Sequence, residues 1–381
     1  MKRIFIPLTA LLVGACTSTI DYDFSRVEPR LMAVGWLEQA SDVQTVCISL
    51  SEGGLVKAVE DARVICTVNG KEVADVSVRT ADLPEQYSDY SDWTVMLLMS
   101  DGLKLDHHRQ LPVTFPASLR PGDKVRLQFE ANQGAYQAAT GELTVPEPVS
   151  IAKVDTARVT VQHIDWTDRY LQLRADVPDR KGEENWYSIS LRNISEGWYS
   201  FLDGGPDLFV SVDNTLYIHD LDDPVLLDGN MGADDLTFFD FSGNGSFACF
   251  SDQMFRDGTA HLRMNAFSSW NDEGPDFMSL GAEVLRRYGY IETQERGFDR
   301  CRAAHRLEIR LSHCSRDAYY YLRALRTIAS DGYEPAIVEP VTVPTNIEGG
   351  IGFVGIVNTA VARIDLPSEE EYYGNWRFPY L

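Results

Sequence analysis

The chain has 381 residues, 44% of them apolar, and 57 acidic against 34 basic side chains give a formal net charge of −23. That length and apolar content suffice for two or three domains with buried cores and exclude a disordered chain. A field of this sign repels phosphate backbones and anionic headgroups, so nucleic acid is excluded as a partner. Any membrane attachment must come from something other than a basic patch.

At the amino terminus Lys2 and Arg3 precede an apolar run over residues 4–12, and Val13-Gly14-Ala15-Cys16 follows. This is the pattern of a bacterial lipoprotein signal, with small residues before the cysteine that becomes acylated. The run is too short to cross a bilayer as a permanent helix. Residues 1–15 are therefore read as a signal peptide, Cys16 as the lipidation site, and the mature protein as folded outside the cytoplasm. Residues 16–29 are polar and read as a short tether.

Residues 30–147 alternate apolar and polar side chains at period two: over 31–37, at Val46, Ile48 and Leu50, at Val64, Cys66 and Val68, over 93–99, and at Val125, Leu127 and Phe129. Asn69-Gly70 and Arg120-Pro121-Gly122-Asp123 are turn signals between such segments. Several short strands without a convincing helix predict an immunoglobulin-like sandwich. Pro146-Glu147-Pro148 then removes backbone donors and stiffens the chain, which places a unit boundary there.

Residues 148–381 read as a larger β-rich domain with one or two short packed helices. Alternation recurs over 171–177, 187–191, 208–212, 216–218, 260–266 and 307–311. The stronger helix is predicted over residues 316–329, capped by Ser315, with Ala318, Tyr321, Leu322, Leu325 and Ile328 on one face and Asp331-Gly332 as its stop. A weaker one covers 278–288, where Leu280, Val284 and Tyr288 share a side.

Chemical motifs fail on context. Gly350-Ile351-Gly352-Phe353-Val354-Gly355 has dinucleotide-binding spacing, but no strand leads into it and no helix follows, so its glycines read as permitting a bulge or a close backbone approach. The acidic stretch over 228–235, with Asp220, Asp222 and Asp223 upstream, has Phe239 where a helix-loop-helix calcium site needs a carboxylate. It reads as a solvated loop. His107-His108 are adjacent and diverge on an extended backbone, and His305 and His313 bracket one strand. No zinc spacing and no nucleophile elbow occurs. The expectation is no metal, no cofactor and no catalytic residue. Besides Cys16 there are Cys47, Cys66, Cys249, Cys301 and Cys314, an odd number too sparse for a disulfide scaffold, and they read as buried free thiols.

Aromatic residues are dense in the second segment. Trp186, Trp198, Tyr199, Tyr217 and Trp270 are the candidate contacts for a ligand or partner, because neighbours such as Trp198-Tyr199 must point to opposite faces of a strand, which puts one ring of the pair outside. Core packing is the alternative for each ring.

The signal followed by Glu28-Pro29-Arg30-Leu31 and Val34-Gly35-Trp36-Leu37 resembles the opening of the outer-membrane lipoproteins grouped as the domain-of-unknown-function family DUF4249. Closer likeness lies in Tyr319-Tyr320-Tyr321-Leu322-Arg323-Ala324-Leu325, Glu339-Pro340-Val341 and Pro344-Thr345-Asn346-Ile347-Glu348-Gly349-Gly350-Ile351-Gly352. The long acidic middle, residues 196–245, departs from the pattern. The resemblance implies an outer-membrane lipoprotein of Gram-negative bacteria of a kind often encoded beside TonB-dependent transporters, with no catalytic residues to carry over. The leading expectation is a non-enzymatic lipid-anchored protein that binds a ligand or a partner as an accessory to such a transporter. An adhesin or surface-assembly component, and a glycan or peptide hydrolase using acidic residues, are the alternatives.

Overall fold

The computed structural model describes residues 28–52, 55–82, 110–162, 167–180, 182–202, 204, 207–216, 218–219, 223–226, 244–245, 247–255, 257–267, 280, 283–284, 298–329, 341–366 and 368–372. The signal, Cys16 and the expected strand over 93–99 lie outside them.

The chain is mainly β. In order the strands are β1 (Arg30–Glu38), β2 (Val43–Glu52), β3 (Leu55–Lys57), β4 (Asp61–Val68), β5 (Lys71–Arg79), β6 (Leu111–Pro116), β7 (Lys124–Ala131), β8 (Tyr136–Thr140) and β9 (Leu143–Thr144). After the Pro146-Glu147-Pro148 segment come β10 (Lys153–Gln162), β11 (Thr167–Pro178), β12 (Trp186–Phe201), β13 (Leu208–Leu216), β14 (Ile218–His219), β15 (Asn244–Gly245), β16 (Phe247–Ser251), β17 (Thr259–Phe267) and β18 (Phe298–Cys314). The helix α1 (Arg316–Ala329) precedes β19 (Ile347–Glu348), β20 (Ile351–Asp365) and β21 (Glu369–Tyr372).

The turn signals act as the sequence predicts. Asn69 and Gly70 take positive φ of 51° and 77°, which gives the tight hairpin between β4 and β5 the twist its strands need. The Asn69 carboxamide accepts from the Lys124 N–H at 2.9 Å and donates to Asp123 Oδ1 at 2.8 Å, so it also fastens the second turn.

A ten-stranded sheet forms the spine, in the order β13-β12-β18-β20-β1-β2-β3, with β16 beside β12, β21 beside β18 and β6 beside β2. Two smaller sheets lie over its inner face. The six-stranded sheet β19-β8-β7-β4-β5, with β9 on β7, traps one core that includes Leu37, Ile48, Val64, Phe115, Leu127 and Phe129. The five-stranded sheet β10-β11-β17-β14-β15 traps a second, with Leu173, Tyr187, Ile189, Phe250, Leu262 and Ile309. The first core is thus enclosed by two β layers, to which β19 and β20 from the far end of the chain contribute Ile347, Val354 and Ile356.

The expected separation at Pro146-Glu147-Pro148 needs correction. The two cores do part there, but the spine sheet does not. Strand β1 pairs in parallel with β20 from Met32 opposite Ile351 to Glu38 opposite Val357, and β20 continues antiparallel to β18 from Val357 opposite Cys314 to Asp365 opposite Arg306. One strand thereby belongs to both segments. Its inner face sends Val354 and Ile356 into the first core and Ala362 and Ile364 against the second. A linker reads as a boundary from sequence because proline ends local strands, whereas sheet membership is decided by a strand from the far end of the chain.

The helix α1 forms where predicted. Ser315 Oγ accepts from the Ala318 N–H at 3.2 Å and satisfies one of the open donors of the first turn. Ala318, Tyr321, Leu322 and Leu325 are buried, together with Tyr319. They pack with Phe247, Cys249, Cys314, Phe353, Val357, Trp36 and Trp186. Because Trp36 and Phe353 belong to the β1–β20 pair and Trp186 and Cys314 to the β12–β18 pair, α1 clamps the outer face of the spine across both segments. Of the weaker helix over 278–288, Leu280 and Val284 are described, and both are helical and buried.

Candidate functional site

Beyond α1 the outer face of the spine is carried by β12, β13 and β18. Side chains alternate along β12, so Trp186, Trp198 and the even-numbered residues between them share the outer face while Tyr187, Ile189, Leu191 and Tyr199 point inward. Register then sets a row across three strands: Trp198 stands opposite Phe209 on β13 and opposite Arg302 on β18. The rings of Trp198 and Phe209 meet at 5.4 Å between centroids, and the Arg302 guanidinium lies 4.7 Å over the Trp198 ring. Phe209 is 45% exposed and Leu202, just past the end of β12, is 49% exposed. The row presents the Phe209 ring and the Arg302 guanidinium to solvent on either side of a half-buried Trp198, a combination that receives aromatic or apolar side chains while attracting carboxylates.

The face next to this row is neutralised internally. Arg192, Glu308 and Arg363 are direct neighbours across β12, β18 and β20. Arg192 pairs in bidentate fashion with Asp213, and Arg363 Nε donates to the buried Glu308 at 2.8 Å. Arg306 reaches Asp365 at 2.9 Å and Arg310 reaches Glu38 at 3.2 Å. These arginines already hold carboxylates, whereas Arg302 lies on a ring.

The candidate contacts from sequence are distributed unevenly. Trp198 is in the exposed row. Trp186 packs half-buried against the α1 cluster, and Tyr199 is fully buried with Phe201, Leu208, Val210, Leu280, Val284, Cys301 and Ala303. Both are core residues: a long strand between two packed layers buries rings on either face. Tyr217 and Trp270 lie outside the described residues, as does Cys16. Sequence reasoning missed Phe209 and Arg302. The signal for Phe209 was present, since it falls out of phase with Leu208, Val210 and Val212 on β13.

The family profile for DUF4249, a domain of unknown function, matches residues 17–363. The chain belongs to the DUF4249 family. No curated protein matches it.

The stretch that carries the DUF4249 resemblance most closely is architectural in this chain. Asn346 stands in for a strand partner: its amide donates to the Val354 carbonyl at 2.7 Å and its carbonyl accepts from the Val354 N–H at 3.0 Å. The glycine-rich hexapeptide lets β20 press on β1. A Cβ on Gly352, where φ is +102°, would lie 2.2 Å from the Ala33 carbonyl oxygen, and one on Gly355 would lie 2.5 Å from the Trp36 ring. Close backbone approach, not phosphate binding, is what these glycines permit.

Other polar groups of this DUF4249 chain are committed to the fold. Both oxygens of Asp223, the described member of the acidic middle's upstream aspartates, accept backbone N–H groups: Val225 at 2.9 Å and Leu226 at 3.1 Å on one, Arg263 at 2.7 Å on the other. Burial raises its pKa against these bonds. It caps a helical turn and pins β17. Residues 228–235 and His107-His108 lie outside the described residues. Ser195 Oγ and His305 Nδ1 are 2.8 Å apart, a spacing that a nucleophile and its base share, but they face each other across β12 and β18 with 0% and 6% exposure. Their contact bridges two apolar clusters inside the sheet and offers no approach to a substrate. Among the described residues no three His, Cys, Asp or Glu side chains group as a metal site, and no helix is long and apolar enough to cross a membrane. Cys47, Cys66, Cys249, Cys301 and Cys314 are buried and unbridged.

Proposed function

We propose that this protein is a lipid-anchored lipoprotein of the bacterial outer membrane that binds a partner protein, an accessory to a TonB-dependent transporter, through the outer face of β12, β13 and β18. The observation that carries the reading is the exposed Phe209–Trp198–Arg302 row, an aromatic and cationic surface in a chain whose net charge is −23. Interfaces concentrate their energy in such aromatic and arginine anchors. The signal ending at Cys16 supports the anchor, and the 13 residues between that cysteine and β1 are enough to hold the fold close to the membrane surface.

Purification of the lipidated protein from outer membranes should recover a TonB-dependent transporter in stoichiometric amount, and Trp198→Ala or Arg302→Glu should lower that recovery about tenfold, as for loss of one anchor. Labelled fatty acid should enter the wild-type chain and be lost in Cys16→Ser. Recovery of no transporter, or recovery indifferent to both face substitutions, would overturn the reading.

A further inference from the structure

The edges of the three sheets differ in how they are closed. Strand β6 carries Pro112 and Pro116. Strand β5 carries Lys71, Glu72, Asp75 and Arg79, and β10 carries Lys153, Asp155 and Arg158. Strand β16 is buried over Phe247, Ala248, Cys249 and Phe250, and Arg326 of α1 donates to its Phe247 carbonyl at 3.0 Å. Strands β3, β15, β19 and β21 are two to four residues long. Prolines, charges, cover and shortness are the usual means by which a sheet edge is kept from pairing with another chain.

Strand β13 has no proline and is not short, and among the described residues nothing covers its edge. It is nine residues long, Leu-Phe-Val-Ser-Val-Asp-Asn-Thr-Leu, without proline, glycine or lysine. Its single charge, Asp213, is held by Arg192 on β12. Among the described residues β13 pairs with β12 alone, so its other edge presents a row of backbone donors and acceptors at the end of the ten-stranded sheet. Phe209, the most exposed ring of the row described above, stands on this strand.

We infer that β13 is a strand-addition site: the partner lays an extended segment of about the length of β13 along its open edge and sets an apolar side chain beside Phe209. Backbone hydrogen bonds supply the affinity, and the exposed Phe209 ring, backed by Trp198 on β12, reads the side chain. A second copy of this chain is the poorer occupant, because two surfaces of net charge −23 repel on approach. This inference rests on the reading that the protein binds a partner and adds the mode of binding.

The test uses hydrogen exchange on the full chain. The probe is an acetylated, amidated nonapeptide of alternating threonine and valine with a central tyrosine. In the free protein every second amide over residues 208–216 should exchange as an open edge, and excess peptide should slow those amides at least tenfold. Ser211→Lys, which adds a charge to the exposed side of the strand, should abolish the slowing while leaving the amides paired with β12 protected. Protection of every β13 amide in the free chain, or no slowing of any β13 amide by the peptide, overturns strand addition. If Trp198→Ala still weakens transporter recovery in that case, the partner-binding reading stands and only the mode is lost. Transporter recovery that ignores Trp198 and Arg302 is the separate failure of the reading itself.

Discussion

His313 on β18 and Asn358 on β20 are direct cross-strand neighbours on the inner face of the spine, and each donates to a carbonyl of the linker. His313 Nδ1–H reaches the Glu147 oxygen at 2.8 Å, and Asn358 Nδ2 reaches the Pro146 oxygen at 3.1 Å. The two bonds fasten the crossing from the first core to the second at the seam between them.

Removal of either donor strands a linker carbonyl. His313→Ala and Asn358→Ala should each cost about 1 to 3 kcal/mol in urea denaturation. The double variant should cost more than the sum, because either bond alone keeps the linker in place. Fully additive losses would show that the two bonds act independently.

The same histidine gives the fold a pH dependence. Burial lowers the His313 pKa below its ordinary value, and the Arg180 guanidinium beside it acts in the same direction, against the Glu147 hydrogen bond and the carboxylates of Glu183 and Glu147. The unfolded chain therefore takes up this proton more readily than the folded one. Its contribution is complete above the unfolded pKa of about 6.5 and is lost as the pH falls through the lower folded value. The urea midpoint should drop between pH 7.5 and 5, and the drop should be smaller in His313→Gln.

The glycines of β20 should tolerate no side chain. Gly352→Ala combines a left-handed backbone with overlap on the Ala33 carbonyl, a backbone atom that cannot turn aside. A loss of about 3 kcal/mol or more in unfolding free energy is expected from strain and overpacking together. Gly70→Ala, also at positive φ but with open space around it, should cost less.

Leu325 lies 4% exposed in the α1 cluster, and Leu325→Ala should cost about 2 to 5 kcal/mol by thermal or chemical unfolding. The loss should reach both segments, since the cluster includes residues of β1 and β20 as well as β12 and β18. A melt that separates into two transitions, only one of them shifted, would contradict this.

The buried thiols should be inert in the native protein. Burial pushes the Cys249 pKa up to about 12 and that of Cys66 up to about 11, and raises Cys314 as well. Alkylation at pH 8 should modify none of them until denaturant is added. Rapid native labelling of Cys249 would show that α1 lifts from the sheet.

Local signals carried most of the secondary structure. Alternation located β1, β7 and β17 to within two residues, caught only parts of the long strands β12 and β18, and gave no sign of β5, β6, β8, β10 or β16, whereas Asn69-Gly70 marked its hairpin, and Ser315 with the apolar spacing of 318, 321, 322 and 325 placed α1. What stayed illegible was long-range. Nothing near Val34 announces that its neighbour is Phe353, so the boundary at Pro146 looked complete. Exposure was equally hidden: Trp186 and Trp198 have the same parity on β12, and α1 covers one and not the other. Arg302 gained its role only through register with Trp198, a relation between strands that no spacing within either one encodes.

The parallel pairing of β1 with β20 has a kinetic consequence. The first strand of the fold cannot complete its hydrogen bonding until nearly the whole chain has been synthesised, so the molecule cannot finish one half before beginning the other. Contacts of such sequence separation slow folding and prolong exposure of unpaired edges. The amino-terminal sandwich has to wait for the carboxyl-terminal strand, and the chain matures as a single cooperative unit in spite of its two cores.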